Sequence, residues 1–235
     1  MSVNEKMTAI ADAIRDKTKE TNALTLDAMA TEIPKVFEKG KKAEYDALWD
    51  NFQNYGNEEG ISYYYAFSYD RWNDGNYNPK HNIICSTGSY NARNIFYDSP
   101  NISDTKVDII VKGSSMQYCF YRATSLKTIR NLIVNENTQF NVAFGGCTAL
   151  ESVTFGGVIG QGDLDLSPCK LLNKASIISV FNALSLTEEG LSVKLSETAV
   201  NREFGINVND PSTYPEGSEY YNLRQSKKNW NINYA

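Results

Sequence analysis

Between residues 3 and 17 the side chains of Val3, Met7, Ile10, Ala11 and Ile14 return at helical spacing, which predicts one amphipathic helix. After the polar break KTKETN, the segment TLDAMATEIPKVF starts with Thr25 as an N-cap and Asp27 in the first turn, where a carboxylate suits the positive end of the helix dipole. Pro34 opens a third helix that runs to about Gly56, a C-terminal stop. Along it Phe37, Lys41, Tyr45, Leu48, Phe52 and Tyr55 fall at steps of three and four. Such a seam serves either a short coiled coil, and hence oligomerisation, or packing within its own domain.

From Tyr55 to Tyr97 the helical period is lost and Tyr, Asn, Asp, Gly and Ser take over. Turns at Asp74-Gly75 and Asn78-Pro79 separate short strand-compatible runs, which predicts an irregular β segment. Its aromatic side chains, with Tyr63, Tyr65, Tyr69, Trp72 and Tyr77 as the candidate binding set, either stack on a ligand or fill a small β core. Adjacent members such as Tyr63, Tyr64 and Tyr65 favour the core, as cross-strand pairs would have them.

Beyond this segment the pattern repeats. Phe96, Phe120 and Phe144 are 24 residues apart, and six places after each comes an aliphatic residue, Ile102, Leu126 and Leu150. Ile129 and Val153 keep the same interval, and a shortened fourth copy sets Cys169 and Leu172 against Cys147 and Leu150. A unit of this length cannot bury its apolar edge alone but can do so against a neighbour, so a solenoid follows. Its inner positions include Leu132, Phe155, Ile159, Leu164 and Leu166. KASIISVFNALS then places Ile177, Ile178, Phe181 and Leu184 on one helical face, with Ser176 able to cap, and should cover the open end. LSVKL alternates as a strand, a short helix begins at Ser196 and ends at Gly205, and Trp230, Ile232 and Tyr234 predict a final strand. The chain is therefore α+β: helices over 1–56, an aromatic-rich β segment over 57–95, a repeat solenoid over 96–195 and a helix-and-strand cap over 196–235.

Composition narrows what such a chain does. A net charge of −5 supplies no basic footprint for nucleic acid, and the short lysine clusters at Lys39, Lys41 and Lys42 and at Lys227 and Lys228 read as solvated faces. No stretch approaches the ~18 apolar residues of a membrane span, and the N-terminus lacks the apolar core of a secretory signal. Cys85, Cys119, Cys147 and Cys169 form no CxxC pair and read as small buried apolar residues. The one histidine, His81, has no recognisable catalytic partner. GGVIGQG at 156–162 precedes a strand instead of a helix, so it reads as a turn and not a phosphate loop. Paired carboxylates such as Asp163 and Asp165 or Glu188 and Glu189 could flank a sugar, and Asp163 and Asp165, on one face of a strand, could form a calcium or interface patch but read better as solvating charges. No enzymatic activity, cofactor or metal is expected.

FGGCTALESVTFGGVIG, preceded by CFYRATSLKTI, resembles the BspA-type leucine-rich repeat, in which F-x-x-C-x-x-L-x-x-I/V leads into a short strand. Phe144, Cys147, Leu150 and Val153 match every position; Phe120, Leu126 and Ile129 match with Ala123 in place of the cysteine; the first copy keeps Phe96 and Ile102. The resemblance covers roughly residues 93–195 and implies a leucine-rich-repeat-like domain. At the N-terminus, IADAIRDKT followed by LTLDAMATEI resembles the opening of phage and prophage structural proteins of the tail, baseplate or fibre. That resemblance implies a virion component assembled in the host cytoplasm. Its partners would be copies of itself, as a trimer, other virion proteins, and a cell-surface glycan or protein receptor. A BspA-like bacterial surface adhesin is the alternative.

Overall fold

Ile83, Ile109, Leu132 and Phe155 are register partners on four successive parallel strands, and all four side chains are buried. The computed structural model describes residues 82–85 and 92–235, which wind into a β-solenoid of about four turns with three helices. The predicted N-terminal helices, the seam at Phe37, Tyr45, Leu48, Phe52 and Tyr55, and the aromatic segment up to His81 lie outside the described residues.

The first sheet has the order β1-β2-β3-β4, from Ile83–Cys85 (β1), Asp108–Val111 (β2), Thr128–Val134 (β3) and Ser152–Gly157 (β4). Alternation along each strand decides which side faces in. Ile109 and Val111 on β2, Ile129, Leu132 and Val134 on β3, and Val153 and Phe155 on β4 are buried, with more exposed residues between them. The β3–β4 register shifts between Ile129 and Leu132, where a bulge absorbs one residue.

Strands β2 and β3 lead into tight turns, which stack with the turn over 92–98 as a second wall. The N–H groups of Phe96 and Asp98 donate to the carbonyls of Cys119 and Tyr121, both at 2.7 Å; one coil on, Phe120 and Arg122 donate to Ala143 and Gly145 at 2.9 and 2.7 Å. Inside this wall Phe96, Phe120 and Phe144 form a column, with ring centroids 5.4 Å apart at each step. At a third corner Lys127 N–H donates to Ser103, Glu151 to Lys127 and Asn173 to Glu151, at 2.8 to 2.9 Å. The solenoid is thus held by backbone bonds on three sides of each coil, around a phenylalanine stack worth about 2–3 kcal/mol per fully buried ring.

The repeat then gives way to side-chain devices. Helix α1 (Lys174–Ala183) lies along β4 where a fifth strand would run: Ser176 Oγ accepts the Val153 N–H at 2.9 Å and Ser179 Oγ accepts that of Phe155 at 2.7 Å. The cap of this helix is Asn173, whose side chain accepts the Ser176 N–H, and not Ser176 as the sequence suggested. Ser176 is buried and committed to the sheet edge. A second parallel sheet continues the turn wall through Leu164–Asp165 (β5), Ser192–Leu195 (β6) and Asn231–Tyr234 (β7). Since β6 pairs with β7, one sheet spans the 195/196 division between repeat and cap.

Helix α2 (Glu197–Phe204) begins at the Ser196 cap and ends at Gly205, whose φ of 64° supplies the left-handed stop. Helix α3 (Glu219–Ser226), unforeseen in the sequence, packs Tyr220 edge-on against Phe181 and Tyr214, with Phe204 tilted 4.9 Å away. Between α3 and β7, Lys227 turns inward to donate to Leu184 O at 2.5 Å, and burial pulls its amine below the usual lysine range. All four cysteines are buried free thiols, and burial pushes them up, that of Cys147 to about 12.

Candidate functional site

The stacked turns owe their shape to residues in a region that L-amino acids avoid. Asn94, Tyr118 and Val142 have φ of 53, 56 and 55°, and four residues on Asp98, Arg122 and Gly146 have 52, 59 and 81°. Both sets keep the 24-residue interval. Left-handed conformations cost a non-glycine residue about 1–2 kcal/mol, which the inter-coil ladder offsets. The gain is directional: these reversals turn one pair of side chains per coil inward, such as Cys119 and Phe120, while Tyr118 and Tyr121 stay partly exposed.

Tyr97, Tyr118 and Tyr121 meet as one cluster on the outside of the turn wall. Tyr97 stacks on Tyr121 at 5.4 Å and 25°, and Tyr118 stands edge-on to both, at 6.1 Å from Tyr97 and 5.5 Å from Tyr121. One coil further the column holds no ring. A Cβ at Gly145 would lie 2.8 Å from the Tyr121 ring and 2.8 Å from the Val142 side chain, so only glycine lets Tyr121 lie flat across this step. Val142, at 47% exposure, extends the apolar surface, and the Arg122–Asp98 pair at 3.6 Å borders it. That pair is exposed enough to contribute under about 1 kcal/mol. Among the described residues the hydroxyls of Tyr118 and Tyr121 have no hydrogen-bond partner. Partly exposed rings with such hydroxyls suit the flat CH face and hydroxyls of a sugar, or the anchor residues of a protein interface.

The candidate aromatics Tyr63, Tyr65, Tyr69, Trp72 and Tyr77 fall outside the described residues, among which the tyrosine face consists of Tyr97, Tyr118 and Tyr121. Its signal in the sequence was the tyrosine directly after the repeat phenylalanine in Phe96-Tyr97 and Phe120-Tyr121. The repeat residues lie inside: Phe96, Phe120, Leu126, Ile129, Phe144, Cys147 and Leu150 are fully buried, Val153 and Leu172 nearly so, and Ile102 retains 7% exposure. Cys147 Sγ donates to Phe120 O of the preceding coil at 3.0 Å.

Of the acidic pairs, Asp163 and Asp165 have structural partners, while Glu188 and Glu189 are exposed. Asp163 Oδ2 accepts the N–H groups of Phe140 and Asn141 at 2.9 and 3.0 Å, continuing the turn ladder where the fourth coil is short. Asp165 accepts the N–H and hydroxyl of Ser167 and pairs with Lys194. In GGVIGQG, Gly157 has φ of 79° and a Cβ there would sit 1.9 Å from Val134 O, so the segment is a strand end pressed against its neighbour. Among the described residues no cluster of three or more His, Cys, Asp or Glu could hold a metal ion, and no helix is long and apolar enough to cross a membrane. Comparison of the chain with family models, curated proteins and solved structures finds no match.

Proposed function

We propose that this chain is a non-enzymatic virion structural protein of the tail, baseplate or fibre, whose leucine-rich-repeat-like solenoid presents the tyrosine face to a receptor or protein on the host surface. The observation that carries this reading is the partly exposed cluster of Tyr97, Tyr118 and Tyr121, built at the cost of left-handed backbone at Tyr118 and Arg122. A core needs no such outward rings, whereas recognition surfaces favour tyrosine. The virion setting rests on the likeness of IADAIRDKT and LTLDAMATEI to phage structural proteins. Residues 1–56 would join copies, as a trimer, to the particle.

The test has two arms. Labelled full-length protein is titrated onto intact cells of the bacterium that propagates the particle, and Tyr118→Ser with Tyr121→Ser should weaken binding at least tenfold with the far-UV spectrum unchanged. Unchanged binding by the double variant would remove the tyrosine face from recognition. In the second arm, antibody detection should find the protein in purified particles, and light scattering should give three chains that separate when residues 1–56 are deleted. Absence from particles together with display on the producing cell's surface would favour the adhesin reading instead.

A further inference from the structure

A second recessed surface lies at the far end of the described chain, between the 3-10 turn Pro211–Thr213, helix α3 and the final strand. It is a groove open to solvent on one side, of about 460 Å³, a volume within the ~300–1,000 Å³ of small-molecule sites. Flat apolar groups, Pro215, Tyr221 and Trp230, line it together with the charged ends of Glu216, Arg224 and Lys228.

Arg224 is held in place. Its Nη1 donates to the Tyr214 hydroxyl at 3.3 Å, that hydroxyl donates to Val208 O at 3.2 Å, and the guanidinium carbon lies 5.9 Å from the Tyr234 ring centroid. A guanidinium has five N–H donors, and the others on Arg224 meet no protein acceptor among the described residues. Nor does any carboxylate among those residues pair with Arg224 or Lys228. Two cations against Glu216 make the cavity locally positive in a chain of net charge −5. A fixed, half-buried arginine with unused planar donors is the group best shaped for a carboxylate.

We propose that this cavity binds a carboxylated pyranose, the carboxylate received by Arg224 with Lys228 beside it and the CH face of the ring against Tyr221. Hydroxyls around such a ring need donors and acceptors in alternation, and Gln225, Glu216 and the Tyr221 hydroxyl supply both. A peptide carboxylate would satisfy Arg224 equally, but its backbone would then require paired partners that these side chains do not provide in series.

Full-length protein is titrated by ligand-observed NMR with D-glucuronate, N-acetylneuraminate and, as the neutral control, D-glucose. At least one acidic sugar should bind, with glucose at least tenfold weaker. Arg224→Gln should abolish that preference. Lys228→Glu, at an exposed position that leaves the fold intact, should weaken acidic-sugar binding several-fold even if Arg224→Gln proves unstable. Equal binding of glucose, no binding of either acidic sugar, unchanged affinity in Lys228→Glu, or tighter binding of a short peptide with a free C-terminus would each overturn the assignment. The Tyr118→Ser, Tyr121→Ser variant should bind these sugars as the unaltered protein does, which separates this site from the tyrosine face.

Discussion

From Ala92 to Gly157 each coil of the solenoid repeats the one before it, whereas beyond Leu164 no two coils are alike. In the first region Ile109, Leu132 and Phe155 succeed one another every 23 residues; in the second the partner of Leu164 is Val193, 29 residues on, and that of Val193 is Ile232, 39 residues on. The regular coils bond chiefly backbone to backbone, with side chains such as Asn135, whose Nδ2 donates to Val111 O and Gly113 O, repeating the same inter-coil role. In the irregular coils the chain departs for α1, α2 or α3, and named side chains take over: Asp163 for Phe140 and Asn141, Ser176 and Ser179 for β4, Lys227 for Leu184. Regularity makes stability a property of spacing, and its loss makes stability a property of individual residues.

The largest break should come from Phe120→Ala, which removes the middle ring of the column between Phe96 and Phe144. A loss of about 3–5 kcal/mol is expected in urea unfolding. A loss below about 1 kcal/mol would mean that the column is not the core of the regular region. Next, Asp163→Ala strips a shared acceptor from two backbone N–H groups and should cost about 2 kcal/mol in the same assay, with Asp163→Asn recovering part of it. Full stability in the alanine variant would contradict the side-chain takeover. Of opposite sign, Val142→Asn should stabilise by about 0.5–1 kcal/mol, because asparagine tolerates φ near 55° far better than a β-branched residue does.

The smallest effect concerns pH. The Arg202 hydrogen bond, aided by the Lys174 N–H, holds the Glu203 carboxyl below its ordinary value of 4.5. A carboxyl lowered in the folded state contributes stability that is present above pH 4.5 and is lost as pH falls through the folded value. Glu203→Gln should therefore flatten the acid limb of a melting-temperature profile below pH 4.5 while leaving the neutral value only slightly lower. An acid limb identical to that of the unaltered protein would exclude this link between α2 and α1.

The same division governs what could be read beforehand. The solenoid was legible because Phe96, Phe120 and Phe144 stand at equal intervals, and constant coil length is a sequence property. Helix α2 was legible because Ser196, Glu197 and Gly205 are local signals that need no tertiary partner. Ser176 and Asn173 are both good capping residues; only the nearby edge of β4 decides that Ser176 is drawn away. Helix α3 buries Tyr220 alone, so it leaves no apolar period to detect. The tyrosine face was hidden for a similar reason, since its orientation depends on left-handed backbone at Tyr118 and Arg122, positions that carry no glycine to announce it.

The handover at β4 also bears on how such a protein can change length. Duplicating the 24 residues from Tyr118 to Asn141 would insert a coil whose N–H and C=O groups find the same partners above and below, and whose tyrosines lengthen the outer face. No comparable insertion is open after Gly157, where Ser176 and Ser179 terminate the sheet with hydroxyls that no further strand can extend. Lineages of this fold should therefore differ by whole coils upstream of that point, with the helical closure inherited as one indivisible piece.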